Sequence, residues 1–323
     1  MSQTQGEFDL IRRCFASGFP LGSDVLLGVG DDCSAVRPPA GYDLVQSIDT
    51  QVADVHFPHN APAHLIAGRA LRCAASDLAA MGAAPQGFHL ALTLPDSNPA
   101  WLDQFAYGLR TTAHDLGLPL LGGDTTRGPL LIITISVQGW VPQGKMLTRH
   151  TAKAGDELWV SNTIGSAALA LPDVLKNPAS ELGLAKAYYH PSIQFTLGQR
   201  LVGIASACMD ISDGLLQDAG HIARASQVAI EINADQVPTP VSSDHPHWQT
   251  CLSGGDDYQL LFSAAPERHN DILALNSLAG VNCTCIGRIT AADARQGSLK
   301  NAGVSVLKDG QPFSPQATGY QHF

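Results

Sequence analysis

Residues 62 to 96, PAHLIAGRALRCAASDLAAMGAAPQGFHLALTLPD, decide the fold, because a helical pattern there passes directly into a strand. Pro62 suits a first helical turn, where its missing N–H costs nothing, and Ala and Leu dominate as far as Gly82. At about 100° per residue, Ile66, Ala70, Cys73, Ala74, Leu78 and Met81 share one broad apolar face. FHLALTL, residues 88 to 94, then reads as a strand. Asp77 falls inside the apolar face of the helix. A buried carboxylate without a partner costs several kcal/mol or takes up a proton. Asp77 therefore needs a capping contact, an ion pair with Arg69 or Arg72, or a metal ion.

Toward the C-terminus, a second helix runs from Ser97 or Asn98 as N-cap to Gly117, with Trp101, Phe105 and Leu109 as core at a spacing of four. LPLLGGDTTRGP follows, an apolar run ended by Gly122, Gly123 and Asp124, and then the strand LLIITISVQGWV. This order of strands and helices fits an α/β layer, helices packed on a sheet. Toward the N-terminus, EFDLIRRCFA, residues 7 to 16, has helical spacing. GVGDDCSAV, residues 28 to 36, carries the adjacent carboxylates Asp31 and Asp32, and CSAVRP with YDLVQSID reads as a hairpin that delivers Ser47 and Asp49. The loop after it holds His56 and His59.

Residues 142 to 157, PQGKMLTRHTAKAGDE, are basic and lack an apolar run, which places a domain boundary there. The expected division is 1–142 and 143–323. The segment is either a solvated linker or a surface facing phosphates. Beyond it come the strand DELWVSN, helical stretches over 166–176, 181–189 and 192–205, and ACMDISDGLLQDAGHIARAS. In that last motif Asp210 and Asp213 flank Ser212, and Gly214 opens a helix with Leu215, Ala219, Ile222 and Ala223 on its apolar side. Carboxylates beside helix N-terminal amides are favoured by the dipole alone, and the same place suits a phosphate bound through a metal. CLSGGDDYQLLF repeats the Gly-Gly-Asp theme with Asp256 and Asp257.

The 323 residues suit two domains, and 45% apolar residues with 31 glycines and 20 prolines suit compact α/β structure with many turns. Net charge is −10, from 29 acidic and 19 basic residues, without a Lys/Arg cluster of the kind that nucleic acid or an anionic membrane requires. No apolar run reaches spanning length and the N-terminus lacks a signal-peptide layout, so a cytoplasmic location is expected. Seven scattered cysteines form no disulfide framework, and Cys283 and Cys285 share one face of a strand without a second pair at zinc spacing.

GDD taken alone is an ordinary solvated turn. Asp31, Asp32, Asp49, Asp77, Asp124, Asp210, Asp213, Asp256 and Asp257, mostly where an apolar run meets Gly or Ser, jointly suggest a cleft of hard oxygen ligands that selects magnesium and suits phosphate chemistry. Walker, Rossmann and G-x-S-x-G patterns are absent from the sequence.

GVGDDCSAV, SIDTQVADVHF, ASDLAAMGA, LALTLPD, LGGDTTRGP, LTRHTAKAGD, DISDGLLQD and SGGDDYQLLF, in this order, resemble the thiamine-monophosphate kinases of the aminoimidazole-ribonucleotide-synthetase-like (PurM-like) superfamily, from about Gly6 to the terminal GYQHF. The resemblance implies a PurM-like two-domain fold. An N-terminal ATP- and metal-binding domain would share its sheet across a homodimer, and a C-terminal α/β domain would complete each cleft. It also implies ATP-dependent phosphorylation of thiamine monophosphate to thiamine diphosphate, the last step of that cofactor's biosynthesis. Asp32, Ser47, Ile48, Asp49, Asp77, Asp124, Asp210 and Asp213 would hold several magnesium ions. Gly123, Asp124, Arg149 and Ser212 would contact ATP, and His56, Asp256 and Tyr320 the thiamine phosphate. Ile48 stands where the family has Thr, so only its carbonyl could reach a metal. Asp256 stands where Glu is usual, one methylene shorter. Other readings remain: an amidine-forming or carbamoyl-dehydrating relative, a non-catalytic nucleotide- or thiamine-phosphate-binding protein, and a magnesium-dependent phosphohydrolase.

Overall fold

Two large sheets, the first covered by helices on one face and the second on both, organise the chain in a computed structural model that describes residues 7–292 and 303–320. Gly6 and the last three residues of GYQHF lie outside the described residues. After helix α1 (Glu7–Cys14), strands β1 (Val25–Leu27) and β2 (Ala35–Val36) pair as a short ribbon. Then come β3 (Tyr42–Val52), α2 (Ala63–Ala80), β4 (Ala84–Leu94), α3 (Pro99–Leu116), β5 (Leu120–Arg127) and β6 (Ile132–Pro142). The four long strands form a sheet in the order β3-β6-β4-β5, antiparallel except for the parallel pair β4 and β5.

The helices of this half follow from their sequences. The Asn98 side chain accepts hydrogen bonds from the amides of Ala100 and Trp101 and so caps α3. Trp101 and Phe105 stack one turn apart, with ring centroids 5.1 Å from each other. Leu65, Ile66, Leu71 and Leu78 of α2 are fully buried. The pleat sorts the sheet into two faces. Ser47, Asp49 and Gln51 of β3 share a face with Val137, Ile135 and Ile133 of β6 and with Phe88, Leu90 and Leu92 of β4, the face that α2 covers. The opposite face carries Gln46, Ile48 and Thr50, then Thr134 and Ser136, then His89 and Thr93, and Asp124 and Thr126 at the far edge.

Two local expectations are corrected. The segment containing Ala35 and Val36 pairs with β1, not with β3, whose whole length pairs with β6 instead. An eleven-residue strand gains more ladder hydrogen bonds on a long partner than on the few residues before Pro38. The Gly-Asp residues also do not all end strands: β5 continues through Gly122, Gly123 and Asp124 to Arg127, and Asp49 lies inside β3. Gly123 fits there because a Cβ would overlap the Leu90 carbonyl of β4.

The second half contains β7 (Glu157–Ser161), α4 (Ser166–Lys176), α5 (Ala185–Tyr189), α6 (Phe195–Leu201), β8 (Ala207–Asp210), α7 (Leu215–Ser226), β9 (Val228–Asn233), α8 (Trp248–Ser253), β10 (Leu260–Ala264), α9 (His269–Ala279), β11 (Cys283–Ala291), β12 (Val304–Lys308) and β13 (Gln311–Phe313). Helices expected over 181–189 and 192–205 are shorter; ahead of α6 the Gln194 amide folds back onto the Ser192 carbonyl at 3.0 Å. The seven strands run β13-β12-β9-β11-β7-β10-β8, antiparallel except for β12 with β9. Leu158, Val160, Met209, Leu215, Ile222, Ile230 and Leu261 pack one core. Trp159, Phe262, Leu260 and Cys208 pack another with α6, α9 and the end of α2, which joins the two halves. Cys283 is buried and Cys285 half-buried, both as free thiols, and burial raises the pKa of Cys283 to about 12.

Candidate active site

Helix α2 brings the site together, because one of its sides is polar where it meets the second half of the chain. Arg69, Cys73, Ser76 and Asp77 recur at helical spacing along that side. Ser47 Oγ of β3 donates to Asp77 Oδ2 at 2.5 Å, and Ser76 Oγ donates to Asp210 Oδ2, at the end of β8, at 2.7 Å. The alternatives for Asp77 resolve accordingly: Arg69 pairs with Asp256 and Arg72 with Asp115, so neither neutralises it.

Asp49, Asp77 and Asp210 thus converge from β3, α2 and β8. Burial, then the nearby Asp77, lifts the pKa of Asp49 to about 6. Burial raises Asp77, with Ser47 and Arg149 opposing. Asp210 is lifted to about 7 by burial and by the charges of Asp77 and Asp49. Next to it, Asp218 accepts from the amides of Asp213 and Gly214 at 3.2 and 3.1 Å, and burial with Asp210 and Asp213 lifts it to about 8. Carboxylates raised together in this way carry more negative charge than their surroundings offset. A divalent cation among them would restore their ionised forms, and an all-oxygen donor set is suited to a hard one.

A cleft of about 540 Å³ is lined by Asp49, His56, Asp77, Asp210, Ser212, Asp213, Asp256 and Tyr320, along with apolar Val55 and Leu171. A second cavity of about 260 Å³ is lined by Ser47, Asp77, Arg149 and Met209. Asp77 lines both.

The far wall of the larger cleft is the loop from Gly254 to Tyr258. It is tied to the segment after β8 by hydrogen bonds from Asp256 N to Ser212 O, 2.9 Å, and from Tyr258 N to Ile211 O, 2.8 Å. A Cβ on Gly255 would overlap the Ser212 carbonyl, so only glycine permits this approach. Asp256 and Tyr258 take positive φ of 72° and 52°, which turns successive side chains in different directions. Asp257 points back to cap α4, accepting from Gly165 N at 2.7 Å, while Asp256 points to Arg69 and the cleft. Burial outweighs these capping amides and lifts the pKa of Asp257 to about 8.

On the opposite wall, His56 Nδ1 accepts from Val52 N at 3.1 Å. In the neutral ring this places the proton on Nε2. Tyr320 N donates to the Asp213 carbonyl at 3.0 Å and holds the tail against α7.

Four expected residues lie outside this assembly. Ile48 neighbours Ser47 and Asp49 on β3, but its side chain is on the opposite face and 66% exposed. Asp32 is exposed, its amide bonded to Asp31 Oδ1 at 2.8 Å. Gly123 and Asp124 are exposed on β5, three strands from β3, a separation of about 14 Å at ordinary strand spacing. Conversely, Ser76, Tyr188 and Asp218 belong to the site without a place among the expected residues, and Arg69, expected only as a possible partner of Asp77, belongs to it through Asp256. The one signal for Arg69 and Ser76 was their helical phase with Asp77; Tyr188, on short α5, had none.

Two family models match the chain: AIR synthase related protein, N-terminal domain, over residues 30–141, and its C-terminal domain over residues 153–300. The fold and the acidic cleft between the halves thus define a two-domain α/β protein of the AIR synthase related class. The chain is 40% identical to the thiamine-monophosphate kinase of Escherichia coli (strain K12), covering 98% of both chains. The crystal structure of the thiamine-monophosphate kinase from Stenotrophomonas maltophilia K279a superposes with a TM-score of 0.77 at 38% identity, over 90% of this chain and 92% of that one. AaThiL complexed with AMPPCP and TMP superposes with a TM-score of 0.74 at 27% identity, over 98% and 97%. The chain belongs to the thiamine-monophosphate kinase family.

Proposed function

We propose that the protein transfers the γ-phosphoryl group of ATP directly and in line to the terminal phosphate of thiamine monophosphate, giving thiamine diphosphate and ADP in the last step of that cofactor's biosynthesis. The observation that carries this reading is that Asp77 lines two cavities at once, one with Arg149 and the other with His56, Asp256 and Tyr320. Two anions must meet for the reaction, and this arrangement offers each its own wall on either side of a shared carboxylate centre.

Asp49, Asp77, Asp210 and Asp213 would hold magnesium, which would supply charge neutralisation for both phosphates. Arg149 presents its guanidinium to the nucleotide phosphates and Ser212 a hydroxyl. His56 donates from Nε2 to the acceptor phosphate, and Asp256 and Tyr320 position the thiamine moiety. The acceptor phosphate is already ionised near neutral pH, so these residues need only align it.

The protein acts as a homodimer in this reading. Ile48 and Thr50 lie on a sheet face that no helix of the chain covers among the described residues, and Asp124 is on that face too. A second copy seated there would bring Asp32, Gly123 and Asp124 to a neighbouring cleft, and the Ile48 carbonyl would serve a metal. In this reading the chain divides at 142/143, which is supported by β6 ending at Pro142 and β7 beginning at Glu157. Among the described residues no helix is long and apolar enough to cross a membrane; cytoplasmic action is part of the proposal.

Phosphorus NMR of protein, ATP, magnesium and thiamine monophosphate tests it. Thiamine diphosphate with ADP is expected. Free phosphate alone would make the protein a hydrolase, and binding without turnover a binding module.

A further inference from the structure

Arg69 is a guanidinium almost wholly removed from water, at 2% side-chain exposure, in the middle of α2. Burying such a charge is costly unless it is paired; here Nη1 and Nη2 are taken up, while the buried Nε has no hydrogen-bond partner among the described residues. Its Nη2 bonds Asp256 Oδ1 at 2.6 Å, its Nη1 bonds the Tyr188 carbonyl at 2.7 Å, and its Cζ lies 3.9 Å from the centroid of the Tyr188 ring. Tyr258 Oη donates to the same Asp256 Oδ1 at 3.2 Å. Tyr188 Oη in turn donates to the His56 carbonyl at 2.8 Å.

These contacts form one continuous chain from Asp256, on the loop before β10, through Arg69 and Tyr188 to His56, on the loop after β3. The two residues at its ends line the same cleft, Asp256 on the loop leading into the seven-stranded sheet and His56 on the loop leaving the four-stranded one. Both bonds to Asp256 fall on Oδ1, which leaves Oδ2 for a ligand. A carboxylate one methylene shorter than glutamate, at a strained backbone position with φ of 72°, has little reach of its own. Its direction is set by what grips the other oxygen.

We propose that Arg69 and Tyr188 are positioning residues for the acceptor: the buried guanidinium orients Asp256 and, through the Tyr188 ring and hydroxyl, holds His56 at the matching distance across the cleft. The nucleotide side is not part of this chain of contacts, since Arg149 and Ser47 line the other cavity. The inference rests on the kinase reading, and wild-type turnover of thiamine monophosphate tests that reading separately.

The experiment compares Arg69→Met, Arg69→Lys, Tyr188→Phe and Tyr258→Phe, measuring kcat, the KM for thiamine monophosphate, the KM for ATP and the urea midpoint. Arg69→Met is expected to raise the acceptor KM by about tenfold or more, the value of one charge-assisted hydrogen bond, and to leave the ATP KM within about twofold. Arg69→Lys should recover part of the loss, since it restores the charge but not the fork. Tyr188→Phe keeps the ring under the guanidinium and loses only the bond to His56, so a smaller rise confined to the acceptor KM is expected. In an Asp256→Ala background, Arg69→Met should cost less than in the wild type, because the arm through Asp256 is already gone and only the one through Tyr188 to His56 remains. If Arg69→Met does not fold, the two tyrosine variants decide the matter: Tyr258→Phe loses its bond to Asp256 Oδ1 and, like Tyr188→Phe, should raise only the acceptor KM. Loss of stability with both KM values unchanged, or shifted together, would overturn the proposal and leave Arg69 as a structural tie.

Discussion

Ser76 of α2 and Asp210 of β8 are hydrogen-bonded at 2.7 Å, which fastens a helix of the first half to a strand end of the second and sets Asp77, the next residue of the helix, beside Asp210. The site is made where the two sheets are joined, so its residues carry a stability cost as well as a function.

That cost gives the first prediction. Asp77→Asn and Asp210→Asn each remove a charge that burial disfavours. Turnover should fall by about 100-fold or more, because charge stabilisation at the phosphates is lost. The metal-free protein should be as stable as the wild type or more so. Steady-state kinetics and urea denaturation in EDTA check the pair of outcomes; near-normal magnesium-dependent activity in both variants would remove these residues from the site.

The same carboxylates set a pH dependence. Asp49 titrates at about 6 and Asp210 at about 7 in the folded chain, against 3.8 ordinarily. Between those values the folded state holds protons that the unfolded state has released, so stability falls as pH rises. The contribution is complete below 3.8 and lost as pH passes about 6 and then about 7. Thermal unfolding of metal-free protein should show a midpoint that drops from pH 5 to pH 8, and magnesium should raise it more at pH 8, where its ligands are already ionised.

Asp257 caps α4 from a distant loop, so Asp257→Ala should destabilise the chain by about 1–2 kcal/mol, the usual value of a lost N-cap. Helix α4 carries Ala168 and Leu171 to the cleft wall, and the KM for thiamine monophosphate should rise with it. Urea denaturation and kinetics on one preparation measure both.

Ile48→Lys places a charge on the uncovered sheet face at a residue that is 66% exposed. The isolated chain should fold normally, while sedimentation should shift toward monomer and activity should fall with it. A dimer that survives the change would show that copies meet elsewhere.

Much of this protein was legible from residue order. The 3.6 period of α2, the cap of α3 at Asn98 and the core strands β4 and β6 follow from local pattern, and of the nine aspartates that the acidic motifs name as a group, Asp49, Asp77, Asp210, Asp213 and Asp256 line one cleft. The partner of β3 was misassigned because periodicity shows that a strand has a buried face and says nothing about which strand lies beside it. Arg69 looked like a possible mate for Asp77, eight residues along its own helix, and instead reaches Asp256 in the other half of the chain.

The sequence by itself determined the long helices α2 and α3, most strands, the acidic character of the site and, through its ordered motifs, the family, because each depends on residue types at short spacing. Only the tertiary structure decided that Asp77 stands between two cavities, that Asp256 and Asp257 face opposite ways, and that Ile48, Asp32 and Asp124 lie outside one chain's cleft. Those facts depend on how the two sheets dock and on positive φ at single residues. Docking is set by the summed packing of side chains from all over the chain, which no local stretch encodes.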